Sequence, residues 1–182
     1  MVTSNWHKIR EISQILAPFG ISVEMLDAEK LEVQNDDVAY IAKKAVEHLC
    51  PHHDRVVVED TGLYIEALGG FPGPYAEYVY RTLGLGGVLK LLSGVDNRKA
   101  RFKCAAAMCI GGRVEVFVGE VSGEISHTPR GAGGFGYDPV FIPEGYSKTY
   151  AELGDEIKNQ ISHRAKAFRA LASWLQSRSR DF

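Results

Sequence analysis

The sequence predicts an α/β protein, and three observations carry that expectation. Val56-Val57-Val58 is a β-branched run that ends in Glu59-Asp60 and the turn residue Gly62, the pattern of a short strand buried on both faces. Three other segments place apolar residues at helical spacing: Ile9, Ile12, Ile15 and Leu16; Ala39, Ala42, Ala45 and Val46; and Ala165, Phe168, Leu171, Ala172 and Leu175. Residues 101–110 and 114–125 are extended segments around Gly111-Gly112-Arg113, a hairpin signal. A chain of 182 residues can bury a sizeable core, and no repeat, low-complexity tract or linker divides it. One domain spanning 1–182 is expected.

Composition narrows the partners. A net charge of -2 supplies no basic field for duplex nucleic acid, so nucleic acid is not an expected partner. No stretch reaches the length of a membrane span, and Met1-Val2-Thr3-Ser4-Asn5 lacks a signal-peptide pattern. A cytoplasmic location follows as the expectation. Cys50, Cys104 and Cys109 form an odd set without metal-site spacing, which suits a reducing compartment, and they read as buried small hydrophobes. Cys50-Pro51-His52-His53 falls between a helix and a strand and reads as a loop rather than a ligand group.

Taken in order, the polar turn Thr3-Ser4-Asn5 feeds a helix that Pro18 and Gly20 stop. Ser4 or Asn5 would cap it, leaving Lys8 and free backbone N–H groups at the positive helix end, a plausible phosphate cradle. Residues 21–26 read as a second strand, 29–37 as a polar segment carrying Glu32, and 38–49 as a helix. Glu59 and Asp60 then stand at the carboxyl end of the 56–58 strand, where open α/β sheets collect ligands. Gly62 is expected to turn the chain into another strand over 63–67. Residues 69–75 hold too many breakers for regular structure and suit a pocket wall or an interface. Two helices, 78–83 and 87–92, precede the hairpin. Gly131 to Pro139 is a loop holding Phe135 among glycines, followed by the apolar run 140–142. Ser162 caps the final helix and places His163 and Arg164 in its first turn.

Several enzyme motifs are absent: GxxxxGK[ST], HExxH, paired CxxC, GxSxG, and GxGxxG after a strand. What remains is scattered: carboxylates at Glu32, Glu59 and Asp60, lysines at Lys8, Lys44 and Lys158, the aromatic Phe135, and the His163-Arg164 pair. Carboxylates suit Mg²⁺, lysines suit a polyphosphate as point charges, and an aromatic ring suits a base. Together they describe a nucleoside triphosphate site built without a Walker motif.

Four blocks carry a family resemblance: Thr3-Ser4-Asn5-Trp6-His7-Lys8-Ile9-Arg10-Glu11; Glu59-Asp60-Thr61-Gly62-Leu63 with Leu68 to Tyr75; Gly134-Phe135-Gly136-Tyr137-Asp138-Pro139; and Lys158-Asn159-Gln160-Ile161-Ser162-His163-Arg164. In this order they resemble the inosine triphosphate pyrophosphatases, which convert noncanonical purine nucleoside triphosphates to the monophosphate and pyrophosphate. The resemblance implies that Thr3, Ser4, Asn5 and Lys8 form a phosphate-binding turn and that Lys44 contacts phosphate. It implies that Glu32 binds Mg²⁺ and that Asp60 is the essential acid, holding the Mg²⁺ with Glu32 or activating water, with Glu59 and Thr61 beside it. Phe135, Gly136, Tyr137 and Asp138 match the base-stacking loop, and Lys158, His163 and Arg164 match the base-recognition segment. An elongated mixed β-sheet flanked by helices, two lobes with a central active-site cleft, and a homodimer are further implications.

Two departures stand out. Few residues precede Thr3, so the natural start is expected a few residues upstream, and Tyr137 stands where some members have an indole. Two other readings exist. A Maf-like pyrophosphatase acting on pyrimidine or modified nucleotides is opposed by the purine-sized loop at Phe135 and by Ser162-His163-Arg164. A nonenzymatic nucleotide-binding module would require loss of an essential acid or lysine, and Asp60, Glu32 and Lys8 are all present.

Overall fold

The computed structural model describes residues 1–178. Its centre is a five-stranded sheet in the order β2-β1-β3-β4-β5, with β1 Val56–Ile65, β2 Pro72–Gly73, β3 Lys99–Ile110, β4 Arg113–Ile125 and β5 Phe141–Pro143. Five helices flank it: α1 Trp6–Leu16, α2 Val38–Leu49, α3 Ala76–Leu91, α4 Tyr150–Ile161 and α5 His163–Ser177. The α/β expectation therefore holds. All five named strands pair antiparallel, and one isolated parallel bridge joins Val2 to Leu26.

Local chemistry explains the helix boundaries. Asn5 caps α1 by accepting from the N–H groups of His7 and Lys8, and Gly20, at φ 70°, closes the turn after it. Asp37 caps α2, Ser162 caps α5, and Thr149 with Glu152 forms a capping box on α4. The two helices expected around residues 78–92 are α3, broken at Gly84.

The long hairpin β3–β4 turns at Gly111-Gly112, as its sequence predicts.

Several expectations need correction. Residues 21–26 form no strand: apart from the bridge at Leu26 the segment carries no regular structure. Gly62 does not turn the chain, because β1 runs unbroken to Ile65, and Glu59 and Asp60 sit in mid-strand rather than at its end. The lack of a side chain at Gly62 matters differently. A Cβ there would stand 2.7 Å from the Tyr64 ring and 3.0 Å from the Gly73 carbonyl oxygen, so the glycine admits β2 alongside β1. The breaker-rich segment 69–75 thus contributes a two-residue strand. Cys50 and Cys109 form a disulfide with Cα atoms 5.6 Å apart, so only Cys104 is a free buried thiol. The bridge ties the end of α2 to β3 across 59 residues of chain, a constraint worth about 3 to 4 kcal/mol.

Register sets which face of the sheet each candidate carboxylate occupies. One face of β1 carries Val57, Glu59, Thr61, Leu63 and Ile65, opposite Met108, Ala106, Cys104, Phe102 and Ala100 of β3. Val57, Met108, Ala106 and Cys104 pack with α1 and α5, whereas Leu63, Ile65, Phe102 and Ala100 pack with α3, Phe141 and Tyr150. Glu59 and Thr61 fall at the seam between these two cores. The other face carries Val56 and Val58 against α2, then Asp60, Gly62 and Tyr64 as the apolar cluster ends.

Candidate active site

Glu59 organises the first face. It is fully buried; its Oε2 lies 2.8 Å from Lys8 Nζ, and its Oε1 accepts from Arg164 Nη2 at 2.9 Å and from the Thr61 hydroxyl. Arg164 Nη1 continues to Glu11 Oε2 at 2.6 Å, Glu11 meets Lys158, and Lys158 Nζ reaches Asp138 Oδ2 at 2.6 Å. Asp138 finally accepts from the Phe135 backbone N–H at 2.9 Å. Cations and carboxylates alternate along this chain of six side chains, so no buried charge lacks a partner. Burial alone would raise the Glu59 pKa, but Lys8 and Arg164 outweigh it and hold the carboxyl well below its ordinary range. Glu11 is likewise depressed, by Arg164 and Lys158 against burial.

The network fixes the recognition segment. α5 begins close against β4 because residue 119 is glycine: a Cβ there would collide with the His163 carbonyl oxygen. His163 stacks on Phe102 at 4.4 Å between centroids, and burial, reinforced by Arg164, keeps its imidazole neutral. Phe135 lies half-buried with His7 stacked at 5.0 Å, Lys158 Nζ 4.6 Å from its centroid and Arg164 at 5.6 Å. Phe135, Asp138, Lys158 and Arg164 are thus one assembly.

Asp60 occupies the opposite face. Its Oδ1 is 3.3 Å from Lys30 Nζ, which also meets Glu32 Oε1 at 3.2 Å. Burial pushes the Asp60 pKa up to about 6, against the pull of Lys30 and Lys8. Lys30 itself is raised, because Asp60 and Glu32 outweigh its burial. Beyond Asp60 on this face stands Lys103, opposite Gly62, with its Nζ 2.8 Å from Asp37 Oδ1.

Glu32 and Asp60, 28 positions apart in sequence, therefore share one cation. Among the described residues no three His, Cys, Asp or Glu side chains converge into a metal cage. Two carboxylates are nonetheless a suitable protein share for Mg²⁺, which takes one or two and completes its shell with water and substrate phosphates.

Other expected residues lie elsewhere. Lys44 is on the outer side of α2, half-exposed, with its Nζ 2.8 Å from Glu47. Tyr137 is buried, its hydroxyl donating to the Ala76 carbonyl and its ring between Tyr80 and Phe102, so it anchors the 131–139 loop from beneath. Gly136 is a turn residue at φ 61°. Thr3 accepts from the Asn5 N–H, and Ser4 is exposed. Two residues of the site carry no assigned role in the sequence: Glu11, which closes the first resemblance block, and Lys30, within the polar 29–37 segment. Glu11 could have been found as a charge sharing a helical face with Lys8, Ile12 and Ile15, and Lys30 as the neighbour two positions before Glu32 in an extended segment.

The family model described as the Ham1 family matches residues 1–174. The chain belongs to the Ham1 family. Its relatives include the dITP/XTP pyrophosphatase of Pyrobaculum aerophilum, 70% identical over 98% of this chain and 96% of the relative. Among solved structures, a HAM1 protein from Coxiella burnetii has a TM-score of 0.81 at 27% identity, covering 97% of this chain and 96% of that one. A nucleoside-triphosphatase and dITP/XTP pyrophosphatase from Mycobacterium abscessus has a TM-score of 0.70 at 32% identity, covering 93% and 95%. These Ham1 likenesses extend along nearly the whole chain, so they cover both faces of β1 described above.

Proposed function

We propose that this Ham1 protein hydrolyses noncanonical purine nucleoside triphosphates, ITP, dITP and XTP, to the monophosphate and pyrophosphate. One observation carries the reading most: Asp60 and Glu32, 28 positions apart, meet around a single cation, and Lys8 near the start of α1 is close enough to act electrostatically on Asp60. The name of the 70% identical relative points the same way.

In phosphoryl transfer, positioning and charge stabilisation dominate over covalent chemistry. A Mg²⁺ held by Glu32 and Asp60 would neutralise charge on the triphosphate and polarise it for attack at the α-phosphorus. Lys8 and the start of α1 place positive charge where phosphates would lie. Alternatively Asp60 is the general base itself: with a pKa of about 6 in the metal-free protein it is ionised at neutral pH yet basic enough to accept a proton from the attacking water at a carboxylate oxygen. The half-buried Phe135 ring offers a stacking face for the purine. Arg164 and Lys158, held beside it by Glu59, Glu11 and Asp138, carry only donors; a donor shared with the base would match a 6-oxo acceptor and oppose the adenine 6-amino group. Guanine shares the 6-oxo group, so its exclusion falls to the 2-amino position, where a buried unpaired donor costs about 1 to 3 kcal/mol.

The functional unit in this reading is one domain paired into a homodimer. Exposed Phe71, Tyr75, Tyr78, Tyr80 and Leu83, on and just before α3, support pairing because a monomer leaves them in water. No described helix is long and apolar enough to cross a membrane. A cytoplasmic location agrees with a substrate drawn from the nucleotide pool, and the modest net charge agrees with a free nucleotide rather than nucleic acid as partner.

Assaying ITP, dITP, XTP, GTP and ATP with Mg²⁺, and identifying pyrophosphate as product, tests the proposal. Faster turnover of ATP or GTP than of ITP and XTP, or release of single phosphates, would overturn it.

A further inference from the structure

Lys30 lies outside every motif used above, yet it sits on the two atoms that matter most to a metal. It belongs to the irregular segment between the Leu26 bridge and α2, and its side chain is 18% exposed against 72% for Glu32. The stem is therefore largely covered by protein while Glu32 approaches from the solvent side. The ammonium is 3.3 Å from Asp60 Oδ1 and 3.2 Å from Glu32 Oε1. A divalent cation bound by the same two oxygens would stand where the ammonium stands, and two cations cannot share that position.

We infer that Lys30 is a resident counter-cation that makes metal binding and nucleotide binding depend on each other. The inference rests on reading the cleft as a metal–triphosphate site. In the empty protein Lys30 holds Asp60 and Glu32 together and opposes entry of a bare metal ion. When the metal arrives with a triphosphate, the ammonium leaves the carboxylates and takes phosphate oxygens instead. A lysine suits this exchange, being a compact point charge on a flexible four-carbon stem. Lys8 is less suited, because Glu59 holds it at 2.8 Å within the buried network. By linkage, whatever factor nucleotide adds to metal affinity, metal adds to nucleotide affinity. Direct metal–phosphate contact couples the two ligands in any case, and a purely structural ion pair would leave that coupling unchanged in a Lys30 variant.

The test is Mn²⁺ binding to the full chain, measured by calorimetry with and without a nonhydrolysable ITP analogue. In the wild type the analogue should tighten Mn²⁺ at least about tenfold. Lys30→Met, or Lys30→Gln should the former not fold, should bind Mn²⁺ about tenfold more tightly without nucleotide, show a smaller tightening by the analogue than the wild type, and bind the metal-free analogue more weakly. Unchanged or weakened Mn²⁺ binding in a folded Lys30 variant overturns the inference. Asp60→Asn separates the two levels: if it loses Mn²⁺ while Lys30→Met changes nothing, only the role of Lys30 fails. If Asp60→Asn binds Mn²⁺ as the wild type does, the metal reading of the cleft fails, and the inference with it.

Discussion

Glu59 and Asp60 are adjacent carboxylates on one strand, and the protein treats them in opposite ways. Successive strand residues point to opposite faces, so Glu59 enters the seam between two cores while Asp60 faces Lys30, Glu32 and the edge of the α2 cluster. Glu59 is met by Lys8, Arg164 and Thr61 and is held firmly ionised. Asp60 is largely buried with weaker, longer contacts, and its pKa rises to about 6. A carboxylate locked in a neutralised network organises structure. One kept partly short of partners retains basicity and ligand capacity for chemistry.

The largest test of this contrast is Asp60→Asn. Turnover should fall by about three to four orders of magnitude with the melting temperature intact, as expected for loss of a base or metal ligand. Comparable turnover in that variant would end the assignment. Glu59→Gln should show the reverse emphasis, because it removes the carboxylate facing Lys8 and leaves Arg164 with Glu11 alone. Breaking such a pair costs about 3 to 5 kcal/mol, read in denaturant unfolding. A Glu59→Gln protein as stable as the wild type would show that the network is not what holds α1 and α5 to the sheet.

Acid separates the two residues in a second way. Asp60 has a folded pKa raised above its ordinary 3.8, so its stability contribution is present below that value and lost as pH rises through about 6. Glu59 has the opposite sign: its contribution is present above its ordinary 4.5 and lost as pH falls through its depressed folded value. Activity at limiting metal should therefore decline below about pH 6, whereas the Glu59 contribution to stability starts to fall only below about pH 4.5. Coincident acid limbs for kcat/KM and for unfolding would contradict this.

Smaller effects probe the edges. Phe135→Ala should weaken nucleotide binding by about 1 to 3 kcal/mol, raising KM more than it lowers kcat, if the ring is the stacking platform. Equal loss in kcat with KM unchanged would assign Phe135 to loop anchoring instead. Lys44→Ala should change stability by less than about 0.5 kcal/mol, since its exposed pair with Glu47 is solvent-screened.

Much of this was legible in the sequence where the cause is local. The caps at Asn5 and Ser162, the Gly111-Gly112 hairpin and the apolar faces of α1, α2 and α5 follow from hydrogen-bonding and periodicity within a few residues. The strand ends were misjudged because a glycine inside a strand looks like a turn until its cross-strand neighbours Tyr64 and Gly73 are known. The Cys50–Cys109 disulfide escaped for a similar reason: pairing depends on α2 ending over β3, not on spacing.

The sequence by itself determined which residues are fit for the chemistry: Asp60, Glu32, Lys8, Phe135, Lys158 and Arg164 by their charge, aromaticity and motif. Only the tertiary structure decided what each of them meets. Strand pleat sent Glu59 and Asp60 to different faces, the close fit at Gly119 seated Arg164 against Glu59, and the path before α2 laid Lys30 between Asp60 and Glu32. The Lys30–Asp60 and Arg164–Glu59 contacts join residues 30 and 105 positions apart, and no short-range pattern encodes them.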